Sequence, residues 1–168
     1  RDHVYGAAPL PRGEAYPEAY WRFTRLGHIA LLGLITNWFG SSETAIIAAH
    51  WIYTLLLAGS VLLAVMLAQN LHKLIRGKAA SSKFVLGSTA SALCYIGSGI
   101  YLHLTGNLVS EVPALFFLLL GATLLVKALQ HNSAGLGLLS GAVAFITYTM
   151  KMEAIWSYFA FACSLCFA

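Results

Sequence analysis

Between Glu43 and Lys73 the chain runs twenty-nine residues without a single Asp, Glu, Lys or Arg. As an α-helix that stretch is about 44 Å long, against roughly 30 Å for the hydrocarbon core of a bilayer. A run of this length has few ways to fold. It is too long for an ordinary buried strand, and its apolar residues recur on all sides, so it predicts a membrane-crossing helix with length to spare.

Composition extends the reading to the rest of the chain. The 168 residues are 59% hydrophobic and 10% charged, with a mean hydropathy of +0.75, whereas soluble domains carry roughly 25% charged residues. The sequence therefore predicts an all-α, polytopic integral membrane protein, a bundle of five to six transmembrane helices. An extended polar arm over 1–21 precedes a transmembrane domain over 22–168, with spans near 23–40, 44–74, 84–104, 113–130, 136–150 and 153–168. Backbone groups must pair internally in hydrocarbon, and the strict alternation of a β-barrel is missing, so every span should be helical.

The arm holds three of the four prolines, Pro9, Pro11 and Pro17, together with Tyr5, Tyr16 and Tyr20. Proline excludes regular helix there, and ordering such a segment is worthwhile only against a partner surface. The chain opens on "RDHVYG" without methionine and closes inside the apolar run "FAFACSLCFA". Removal of a presequence would fit an organellar membrane, thylakoid or mitochondrial inner, and the C-terminus is expected to lie further on.

The net charge of +4 reads as topology. Arg22, Arg25, the Lys73 to Lys83 loop and Lys127 fall on one side of the membrane if the N-terminus lies there, which obeys the positive-inside rule. Lys151 alone is out of place, with Glu153 near enough to offset it. Short cationic clusters make no broad phosphate-binding face, so nucleic acid is excluded as a partner. Other integral membrane subunits and lipid are the partners expected. Small residues recur every four positions at Ser60, Ala64 and Ala68, at Gly87 and Ser91, and at Ser133, Gly137 and Gly141, and such stripes let helix backbones approach closely.

Histidines are the candidates for chemistry, because ionisable groups inside spans usually mark a site or a partner. His50 and His103 fall toward the outer face, His28 and His72 toward the inner one. His50 and His72 are 22 residues apart, about 33 Å along a helix and within about 40° of the same face. One helix thus offers an imidazole to each leaflet, as axial ligands of chlorophyll or of haem b would require. Trp51 and Tyr53 beside His50 could pack a macrocycle, and carotenoids or lipids are further candidate guests. His131 reads as a loop residue, and Asn37, Gln69 and Asn70 as interhelical hydrogen-bond partners.

Cys94, Cys163 and Cys166 lie in apolar runs and read as small hydrophobes rather than a metal or redox pair. No catalytic signature occurs where its mechanism needs it, and no carboxylate lies deep within a span. The function expected is a non-catalytic accessory subunit of a large energy-converting complex, photosynthetic rather than respiratory. A stand-alone dihaem cytochrome for electron transport is the alternative, and needs His28 paired with His72 and His50 with His103. A small-solute carrier or channel would need a polar cavity between helices.

Overall fold

The computed structural model of the protein describes residues 26–40, 42–96, 108 and 110–165. The arm over 1–21 and His103 lie outside the described residues. Six α-helices, and no strand, occur among the described residues: α1 (Leu26–Phe39), α2 (Ser42–Arg76), α3 (Ser82–Ile96), α4 (Glu111–His131), α5 (Ala134–Met150) and α6 (Ala154–Leu165). Two of them, α2 and α4, are long and apolar enough to cross a membrane.

Local chemistry sets the helix ends. Glu43 sits in the first turn of α2, and Lys73 and Arg76 in its last, where each charge suits the helix dipole. Gly40 after α1 and Gly77 after α2 take positive φ, 69° and 65°, and close the last turns with their backbone N–H groups on Thr36 and Lys73. Asn132 adopts the left-handed conformation at the end of α4, and the Ser133 N–H returns to the Ala128 carbonyl at 3.0 Å. The Ser133 hydroxyl then accepts from the Leu136 N–H, starting α5. "HNSAG" is thus a complete helical turnaround.

The hub of the bundle is α4, packed chiefly on α5 and α2 and less on α6. Tyr53, Leu57 and Val112 form a buried cluster at one end of the α2–α4 contact. At the other end the Gln130 side-chain amide donates to the Asn70 carbonyl at 2.6 Å. Residue numbers rise together on both helices, so α2 and α4 run parallel. Helix α1 runs back along the head of α2, with His28 beside Tyr53 and Ile35 near Ala45. The head of α2, from Ser42 to Tyr53, therefore stands about 16 Å beyond the start of α4, sheathed by α1.

The buried residues are mostly apolar, among them Ile35, Tyr53, Leu57, Val112 and Met150, joined by the hydroxyl residues Ser60, Ser110, Thr123, Ser140 and Thr147, while Leu62, Leu86, Leu138, Phe145 and Trp156 point outward. The buried hydroxyls are satisfied locally: Ser60 donates to Leu56 O, Thr123 to Leu119 O and Thr147 to Val143 O. Ser140 bridges helices. Its hydroxyl donates to Gly121 O at 2.7 Å and lies 2.5 Å from the Tyr158 hydroxyl, joining α4, α5 and α6.

The small-residue stripes are used differently from the sequence reading. Ser60 is buried, but a Cβ at Gly87, Gly137 or Gly141 would meet open space. The close approaches fall at Gly27, whose added Cβ would run into Thr149 of α5, at Gly121, where it would lie 3.2 Å from the Tyr158 ring, and at Gly59, 2.7 Å from Phe116. Which face of a helix meets a neighbour depends on the packing, and glycine spacing alone does not encode it. Gly121→Leu should destabilise the fold by about 1–3 kcal/mol by overpacking, read as a lower thermal midpoint in detergent, with Gly87→Ala as a neutral or stabilised control.

Candidate functional site

Polar groups gather at the level where α4 begins. Glu111 occupies the first position of α4, and Lys151 caps the end of α5 with its N–H on Thr147 O at 2.9 Å. The Lys151 ammonium reaches Glu111 Oε1 at 2.9 Å and Glu153 Oε2 at 3.8 Å. An acid at a helix N-terminus and a base at a helix C-terminus each suit the local dipole, so the pair joins two favourable ends. Lys151, the cation that breaks the positive-inside pattern, is held chiefly by Glu111 and only secondarily by Glu153.

Tyr53 lies beneath this pair. Its side chain is 0% exposed, it belongs to the Leu57 and Val112 cluster, and the Glu111 carboxylate is within electrostatic reach of the phenol. Its hydroxyl has no hydrogen-bond partner among the described residues. His28 on α1 sets its ring edge-on to Tyr53, centroids 6.1 Å apart, and its Nε2–H donates to the Leu108 carbonyl at 3.0 Å. Leu108 takes φ of 50°, a conformation unusual for a branched apolar residue. The His28 bond fixes the carbonyl of that turn.

The remaining histidines are dispersed. His50, one turn above Tyr53, has its Nδ1 enclosed without a partner among the described residues. His72 packs its ring on Phe84 of α3, centroids 4.6 Å apart. His131 is the last, exposed residue of α4. Because His28 is level with Tyr53, nineteen residues before His72 on α2, the two imidazoles stand about 28 Å apart along the axis. The sequence reading put His28 toward the inner face with His72; the structure seats it at the opposite end of α2, since α1 pairs with the head of that helix. The His28–His72 pair needed by a dihaem arrangement is not brought together.

No protein-family model matches this chain. No curated protein and no solved structure matches it either. Among the described residues, no group of three His, Cys, Asp or Glu side chains could hold a metal ion. Cys94 and Cys163 are free, exposed thiols.

Sequence reasoning passed over Leu108, Ser110, Glu111 and Lys151 as site residues, and gave Tyr53 a place beside a macrocycle where the structure buries it against Leu57 and Val112. One signal was available: Lys151 defied the charge pattern on the side of the bundle where Glu111 also falls. Ala45, Ala49, Tyr53 and Leu57, four residues apart, are another, because they mark the inward face of α2. Lys151→Gln should lower stability by about 1–2 kcal/mol, between exposed and fully buried ion pairs. In a double-mutant cycle with Glu111→Gln, the combined loss should fall short of the sum of the single losses.

Proposed function

We propose that this chain is a polytopic integral membrane protein serving as a non-catalytic subunit of a larger energy-converting assembly. The observation that carries the membrane reading is the apolar exterior: Leu62, Leu86, Leu138, Phe145 and Trp156 face outward, on a chain whose helices α2 and α4 are long and apolar enough to cross a bilayer, an arrangement that suits lipid and would aggregate in water. The outward small-residue faces at Gly87, Gly137 and Gly141 support the subunit reading, since they offer close approach to helices of other chains.

Within this reading His50 is the residue for a tetrapyrrole. With Nδ1 enclosed, Nε2 would be the nitrogen to hold the metal of such a group, and exposed Trp51 offers a flat surface beside it. A chlorin takes one axial ligand and so fits an isolated histidine better than a bis-ligated haem b does. That favours a photosynthetic assembly.

Purification from native membranes in mild detergent tests the proposal. The chain should resist alkaline carbonate extraction, migrate with other membrane subunits on native gels, and bring chlorin absorbance that His50→Leu removes. Release by carbonate would overturn the membrane reading, migration alone the subunit reading, and a preparation without chromophore the ligand role of His50. Gly141→Leu should strip away partner subunits while leaving the isolated chain as stable as before or up to about 1 kcal/mol more stable, because glycine is a poor helix former.

A further inference from the structure

Charge is divided unequally between the two ends of the bundle. Among the described residues, the carboxylates Glu43, Glu111 and Glu153 and the cation Lys151 belong to the half where α2 and α4 begin. The other described cations, Lys73, Arg76, Lys78, Lys83 and Lys127, belong to the opposite half, where α2 and α4 finish and α3 begins. The Gln130 amide on the Asn70 carbonyl ties the tail of α4 to the tail of α2. None of these five cations takes part in an ion pair among the described residues, where Lys151 holds the carboxylates.

Three of them are confined to one short turn. Gly77, at φ of 65°, closes α2 with its N–H on the Lys73 carbonyl, and the Ser81 hydroxyl starts α3 by accepting from the Phe84 N–H at 3.3 Å. The His72 ring packs on Phe84, which holds α2 against α3 beside the turn. Arg76 and Lys83 therefore stand on opposite sides of the turn with Lys78 between them, and all three are exposed.

Like charges gathered without a counter-ion repel one another. The carbonyl ends of α2 and α4 supply only roughly half a negative charge each, and the first turn of α3 adds a positive one of similar size. Five cations are thus far from neutralised, and an anion would relieve them.

Apolar surface decides which anion. Ile75, between Lys73 and Arg76, is 59% exposed, and Leu86, one turn into α3 from Lys83, is 73% exposed. Inorganic phosphate or an acidic peptide would meet the cations and leave these side chains bare. An amphiphile satisfies both, with its head on the turn and its acyl chains along α2 and α3.

We propose that the α2–α3 turn binds the phosphate of an anionic phospholipid, with Arg76, Lys78 and Lys83 around the headgroup and Ile75 and Leu86 against the acyl chains. The inference rests on the membrane reading above and is independent of any tetrapyrrole at His50.

Native mass spectrometry of the full chain in mild detergent tests this, with phosphatidylglycerol or phosphatidylcholine of matched acyl chains titrated in. Phosphatidylglycerol should bind about tenfold more tightly. Replacing Arg76, Lys78 and Lys83 together by Gln should weaken its binding by about tenfold or more, each cation near an anionic head being worth roughly fivefold. Phosphatidylcholine binding and the thermal midpoint should stay unchanged, since the three side chains are exposed. Equal affinity for the two lipids, or a triple variant that keeps the preference, would overturn the proposal. So would displacement of phosphatidylglycerol by millimolar inorganic phosphate, which would make the turn a site for the free anion. Crosslinks from Lys78 and Lys83 to carboxylates of a co-purifying subunit in native membranes would give the turn to a protein and overturn it as well. A chain that resists carbonate extraction yet shows no lipid preference fails this inference alone, whereas one released by carbonate fails the membrane reading.

Discussion

The approach of α4 to α5 at Gly121 is the contact on which the rest of the bundle is built. There the Ser140 hydroxyl reaches the Gly121 carbonyl and the Tyr158 hydroxyl joins the same point from α6, whose ring lies so close to Gly121 that an added Cβ would crowd it. Fixing α4 against α5 aligns the Glu111 end of one with the Lys151 end of the other. It also leaves the remaining face of α4 for α2, and through α2 for α1 and α3.

The helical character of the described residues was legible in the sequence because long apolar runs occur without the strict alternation that a β-barrel needs. The helix ends rest on local chemistry, with Gly40, Gly77 and Asn132 at positive φ and Ser133 capping α5, although the spacing of Ser133 in the sequence reads as part of a packing stripe. What could not be read was which helix lies against which. Gly137 and Gly141 have the spacing of a contact stripe, yet Gly27, Gly59 and Gly121 make the close approaches.

The candidate site divides in the same way. His50 stood out by composition, as a titratable ring in an apolar run, and the structure encloses its Nδ1. His28 stood out too, but its depth depended on how α1 pairs with α2, and it comes to rest against Tyr53 and Leu108. Tyr53 reads in the sequence, with Trp51, as a side chain to pack a macrocycle beside His50, but it is fully buried in the cluster with Leu57 and Val112, and its hydroxyl has no partner among the described residues. The Glu111–Lys151 pair joins residues forty positions apart, a distance no local pattern spans.

The parallel register of α2 and α4 has a mechanical consequence. Near its head α2 is keyed to α4 by Tyr53 against Val112, and seventeen residues later by the Asn70 carbonyl held by Gln130. A rod pinned at two points about 26 Å apart cannot slide by one turn without releasing both catches together. Any push on the head of α2 would thus arrive at the far surface, beside His72, Lys73 and Arg76, as one rigid displacement.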